Sequence, residues 1–140
     1  MIDDVMTDGL YRSIVKICYK KECDFFLAGS RRFSYHTKNS DLDMVVQDNN
    51  NIGDFLKSCG FLVLGKNEDY PASTYSWKNA VHVVVLPEPL FSELKISHEE
   101  VALMMDFNFP LIRFIKKLKK TGMKGSIIYR YLEQISRDQN

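Results

Sequence analysis

Apolar and polar positions repeat along the chain with periods that change from one stretch to the next. Leu10, Ile14, Ile17 and Cys18 recur at helical spacing, which predicts an amphipathic helix over residues 5–21. Short apolar runs at 25–28 and 42–46 read as strands. Asp48-Asn49-Asn50-Asn51 reads as a turn and cap before a helix over 52–58, which Gly60 stops. Runs at 61–64, 73–78 and 80–86 read as further strands, the last two joined by a hairpin turn at Lys78-Asn79. In the final third, Ser97-His98-Glu99-Glu100 reads as the cap of a helix carrying Val101, Leu103 and Met104, and Phe109-Pro110 opens another. That second helix has an apolar stripe of Leu111, Ile112, Phe114, Ile115 and Leu118. Gly122 and Gly125 flank a turn before a last amphipathic helix with Ile127, Ile128, Tyr131, Leu132 and Ile135. The element order predicts an α+β (α/β-like) fold: a mixed sheet with helices on one side and a C-terminal helical hairpin. Residues 1–95 form the expected core and 96–140 a helical extension packed on the same domain.

One constellation carries chemistry. Phe25-Phe26-Leu27-Ala28 runs into Gly29-Ser30-Arg31-Arg32, and after a polar loop Ser40-Asp41-Leu42-Asp43-Met44-Val45 begins the next strand. A strand alternates its side chains, so Asp41 and Asp43 point to one face and Leu42 to the other. Neighbouring carboxylates repel unless a cation neutralises them. Magnesium takes octahedral oxygen coordination, often one or two carboxylates completed by water and phosphate. Gly29 lets a phosphate approach the backbone closely, Ser30 offers a hydroxyl and an N–H, and a helix starting there would add its dipole.

These residues resemble the signature of the nucleotidyltransferase superfamily related to DNA polymerase beta, and in particular its minimal, antitoxin-like members. The resemblance covers roughly residues 10–86. It implies that Gly29 and Ser30 hold a nucleoside triphosphate, with Ser40 a candidate in the same site; Arg31 and Arg32 are candidates to steady phosphates, since guanidinium groups suit phosphate geometry, or ordinary exposed arginines. It also implies that Asp41 and Asp43 bind Mg2+ (or Mn2+) in two-metal catalysis. By the same resemblance, the acceptor hydroxyl belongs first to a protein, such as a toxin-like helical partner, with RNA or a small molecule as alternatives.

The family pattern has a third carboxylate on a later strand. In Ala80-Val81-His82-Val83-Val84-Val85-Leu86 the polar position is His82. Imidazole suits zinc, manganese or nickel better than magnesium. His82 is thus a candidate catalytic base or an ordinary half-buried strand residue. Glu88, bracketed by Pro87 and Pro89, is a weaker substitute. Two function classes follow: an active nucleotidyltransferase, or an inactive relative that binds a nucleotide or a protein partner. His36, Thr37 and Lys38 lie in a polar loop beside the site, where a mobile segment would close over a ligand. Tyr70, Tyr75 and Trp77 precede the His82 strand, as stacking platforms for a base or as sheet packing.

Composition narrows the setting. A chain of 140 residues with 45% hydrophobic content suits one core. Net charge of +1 makes no whole-molecule case for nucleic acid or membrane. Locally, Arg113, Lys116, Lys117, Lys119 and Lys120 form a basic face opposite an apolar stripe, either solvated or open to RNA. No stretch approaches the roughly 20 apolar residues of a membrane span, and the N-terminus carries no leader pattern, so a cytoplasmic location is expected. Cys18, Cys23 and Cys59 lack metal-ligand spacing and read as reduced thiols.

Overall fold

A computed structural model describes residues 4–66 and 72–139. Its elements are α1 (Asp4–Lys21), β1 (Phe25–Ala28), α2 (Gly29–Arg32), β2 (Leu42–Gln47), α3 (Ile52–Ser58), β3 (Leu62–Lys66), β4 (Ser73–Trp77), β5 (Val81–Leu86), α4 (Leu90–Met105), α5 (Phe109–Lys120) and α6 (Gly125–Asp138). The five strands form one mixed sheet in the order β1-β2-β5-β4-β3, with β2 and β5 parallel and the other pairs antiparallel. This is an α+β architecture with β2 and β5 at its heart.

Helices cover both faces of the sheet, not one. On the first face Leu42, Met44, Val46, Val81, Val83 and Val85 pack with Ile14 and Cys18 of α1 and Ile52 and Leu56 of α3. On the second, Ala28, Val45 and Leu86 pack against Phe91 of α4, with Phe26, Val84 and Leu94 beside them. The nearly unbroken apolar run of β5 is the sequence mark of burial on both sides. A third cluster joins α4, α5 and α6, and it takes in Phe33 and Tyr35 from the loop after α2. The C-terminal helices are therefore tied to the Gly-Ser segment through a common core.

Local signals hold at several turns. Lys78 and Asn79 both adopt left-handed backbone, with φ of 52° and 54°, in a tight turn closed by the Ala80 amide donating to the Trp77 carbonyl at 3.0 Å, and with Trp77 level with Val81 three residues join the antiparallel strands. Asn108 caps α5 by accepting a hydrogen bond from the Leu111 amide at 3.3 Å, and Gly122 with φ of 90° follows its last turn. Two capping expectations fail. Asn51 makes no side-chain cap on α3; Asn49 and Asn50 instead donate to the carbonyls of Glu22 and Lys21 at 3.2 and 2.7 Å, tying this turn to the end of α1. Ser97 starts no helix, because α4 begins at Leu90. The Glu88 carboxylate accepts from the Ser92 amide and hydroxyl at 2.9 and 2.5 Å and satisfies the first turn of α4. Ser97 sits mid-helix, its hydroxyl bonded to Tyr129 at 2.6 Å and to Glu133 at 2.7 Å on α6.

Tyr75 is buried in the first cluster and Trp77 packs against it, on the sheet face opposite His82, so both serve packing. Tyr70 lies outside the described residues. Burial pushes the Cys18 thiol up to about 12, which leaves it inert. The described cysteines are free thiols. No helix among the described residues is long and apolar enough to cross a membrane.

His98 makes the α4–α6 contact pH-sensitive. Its ring lies 4.3 Å from the Tyr129 ring at 23°, with Phe26 and Phe33 at 4.9 and 5.4 Å, and its Nδ1 donates to the Leu94 carbonyl at 3.1 Å. Burial is the largest influence on its pKa; against a raising bond from Leu94 and the charge of Glu133, and helped by Arg32, it lowers the value to about 4. The unfolded chain takes up a proton near 6.5 while the folded chain resists until about 4. The contribution of the neutral His98 is therefore full above 6.5 and falls as pH drops towards 4, by about 3 kcal/mol. Urea unfolding measured across this window should show that slope, and His98→Phe should flatten it.

Candidate functional site

Strand register assembles the site. Asp43 on β2 lies level with Ala28 on β1 and with His82 on β5, and Ser76 of β4 is level with His82. All four share one sheet face, because directly paired residues point the same way. Asp41 sits just ahead of β2, and the His82 Nδ1 stands 3.4 Å from its Oδ2 and 3.7 Å from Oδ1 of Asp43. The imidazole is largely shielded, while the two carboxylates are 44% and 42% exposed and open to solvent.

Gly29 enters α2 with φ of 70°, and a Cβ built there would collide with the Asp43 carboxylate. Glycine is required twice, by the left-handed backbone and by the close approach. Ser30 is buried directly after it. The helix that follows is one turn of four residues, so it contributes little dipole.

Ser40 is a meeting point. Arg31 sends Nε and Nη2 to its carbonyl at 3.1 and 2.9 Å, the Thr37 amide donates to its hydroxyl at 2.9 Å, and Lys119 Nζ reaches the same hydroxyl at 3.2 Å. Lys119 also lies over the Tyr35 ring at 5.6 Å. These bonds pin the loop before Asp41, including Thr37 of the segment expected to close over a ligand. Arg32 pairs with Asp106 at 3.8 Å. Glu88 is committed to the start of α4.

A cavity of about 540 Å³ opens beside the two aspartates. Its lining includes Gly29, Ser30, Asp41 and Asp43 together with Lys119, Ser126, His98 and Tyr129. This volume is in the range of small-ligand sites. The structure thus gathers Gly29, Ser30, Ser40, Asp41, Asp43 and His82, turns the Arg31 head group to the Ser40 carbonyl, and leaves Arg32 apart. Lys119 was legible only as part of a basic face. Its spacing from Ile112 and Ile115 nevertheless places it beside the buried stripe and could have singled it out.

The donor set can be tested against a metal. Among the described residues no three His, Cys, Asp or Glu side chains are gathered so as to hold an ion by themselves. Two neighbouring carboxylates beside a backbone without a Cβ fit a magnesium ion that brings phosphate oxygens with it.

No family model matches the chain, and no curated protein matches it. Solved structures do. Cid1 in complex with the UTP analogue UMPNPP aligns with a TM-score of 0.58 and 16% identity, over 84% of this chain and 39% of that one. A cytoplasmic RNA terminal U-transferase aligns with a TM-score of 0.59 and 14% identity, over 84% and 41%. The Cid1 poly(U) polymerase with magnesium and 3′-dATP bound gives 0.58 and 14%, over 84% and 42%. The chain has a nucleotidyltransferase-like fold and spans about two fifths of the length of these structures.

The Asp43 carboxylate raises the His82 pKa, against partial burial and with help from the charges of Asp43 and Asp41. The pairing supports the fold below 6.5 and is lost as pH rises through the raised value. NMR titration should give a His82 midpoint above 6.5 in the wild type that falls in Asp43→Asn. Gly29→Ala should cost about 1–3 kcal/mol in chemical denaturation, through strained backbone and the displaced Asp43.

Proposed function

We propose that this chain is a nucleotidyl-transfer domain that moves an NMP group from a Mg-NTP to a hydroxyl acceptor. The observation that carries the reading is the wedge of Asp43 into the space left by Gly29, with Asp41 beside it in the wall of a nucleotide-sized cavity and His82 against both carboxylates. The likeness in fold to enzymes crystallised with a UTP analogue and with magnesium and 3′-dATP supports it.

In this reading Gly29, Ser30 and Lys119 hold the triphosphate, and Asp41 and Asp43 hold Mg2+ (or Mn2+). The ion neutralises charge on the phosphates. The acceptor oxygen attacks the α-phosphorus, the bond to the bridging oxygen of the β-phosphate breaks, and pyrophosphate leaves. Asp41 and Asp43 face Nδ1 of His82, which orients the ring as base and leaves Nε2 to take the acceptor proton. Arg31 acts through Ser40, fixing the segment that presents Asp41. Residues 1–95 supply this face, and residues 96–140 close the cavity. RNA is the acceptor class suggested by the neighbours, one of which holds the short product ApU; the basic residues Lys116, Lys117 and Lys120 would lie along such a strand.

One observation favours a second reading. With His82 level with Asp43, the described cavity lining has two carboxylates, Asp41 and Asp43. A relative without catalysis would bind a nucleotide or a protein partner through the same face.

Calorimetric titration of each Mg-NTP should show binding to the wild type that weakens by about 2 kcal/mol or more in Asp41→Asn/Asp43→Asn. Incubation with α-labelled NTP and an RNA oligonucleotide should then transfer label. Binding without transfer to RNA, protein or small hydroxyl compounds would favour the second reading, and no binding would refute both nucleotide readings.

A further inference from the structure

We infer that this site takes one magnesium ion, carried in on the nucleotide, and not a pair. The inference rests on the nucleotide reading and concerns the number of ions in that site.

The ligand inventory sets the number. Around Asp43 the register places Ala28 on one side and His82 on the other, with Ser76 beyond. The acidic residues lining the cavity, among those described, are Asp41 and Asp43. Paired catalytic ions stand about 3.5–4 Å apart and share carboxylate ligands. Each magnesium also seeks six oxygens and gives up its water reluctantly. Two carboxylates and a triphosphate can complete the shell of one such ion. A second would have the imidazole at its flank, and magnesium prefers oxygen to nitrogen.

The position of the imidazole points the same way. The imidazole leans on both carboxylates at 3.4 and 3.7 Å and occupies the flank where a third acid would serve a second ion. Without nucleotide the same inventory is too small to hold a free ion, in keeping with the absence of any three-ligand group among the described residues. The ion therefore arrives with the phosphates that complete its coordination.

Thermodynamic linkage gives a test that does not depend on turnover. Calorimetry would measure the affinity for UMPNPP, and for the adenosine counterpart, as free Mg2+ is raised beyond the level that saturates the nucleotide. A one-ion site reaches a plateau there. A site with a second ion continues to tighten, by about tenfold when free Mg2+ is ten times the dissociation constant of that ion. The wild type should plateau, and so should His82→Asn, which adds no charge. His82→Asp should keep tightening, because it supplies the third carboxylate. Continued tightening in the wild type would overturn the inference while leaving the nucleotide reading intact. If neither analogue binds at any Mg2+ concentration, the nucleotide reading falls and this inference with it.

Discussion

The register between β2 and β5 is the constraint on which the site depends. It sets Asp43 level with His82, while the antiparallel pairing of β1 with β2 brings Ala28 level and Gly29 next to Asp43. A slip of one residue would send Asp43 into the layer occupied by Leu42, Met44 and Val46, which are sealed against α1 and α3. Burying an unpaired carboxylate there would cost several kcal/mol, and exposing those three side chains would lose about 1.5–3 kcal/mol each. The hydrophobic layer on one face thus holds the charged groups of the other in place.

The electrostatics of the open face follow from that enforced proximity. Asp41 and Asp43 keep much of their hydration, which moderates their repulsion, and the nearby imidazole supplies a partner that is cationic when protonated. This arrangement leaves the carboxylates accessible to a ligand approaching from the cavity. It also makes glycine obligatory at position 29, since any Cβ would occupy the space of the Asp43 carboxylate.

The C-terminal helices complete the site by sharing a core with it. Phe33 and Tyr35, only a few residues past Gly29, are buried with Val101, Met105, Ile112, Ile115, Ile128 and Leu132. Packing of α5 in this cluster brings Lys119 to Ser40 across 79 positions of sequence. The stacked, neutral His98 and Tyr129, with the Ser97 hydroxyl bonded to both Tyr129 and Glu133, fasten α4 to α6. Displacement of these helices would therefore move Lys119 and the loop that presents Asp41 together.

Features governed by neighbours in sequence were legible in it. The spans of β1 and α3, the turn at Lys78-Asn79, the Gly29-Ser30 corner and the alternation that aligns Asp41 with Asp43 follow from period, turn chemistry and backbone freedom. What depended on distant partners was not. Ser97 looks like a helix cap, yet its hydroxyl is bonded to Tyr129 and Glu133, 32 and 36 residues away, while Glu88 and Ser92 begin the helix. Arg31 looks ready for phosphate, yet its guanidinium holds the Ser40 carbonyl. Lys119 looks like one more solvated lysine, yet helix packing carries it into the cavity. The local elements and the motif could be read along the chain, because dihedral preference and side-chain alternation act over a few residues. Strand order, the covering of both sheet faces and the meeting of His82, Ser40 and Lys119 with that motif were decided only in the tertiary structure, because burial selects which remote surfaces come together.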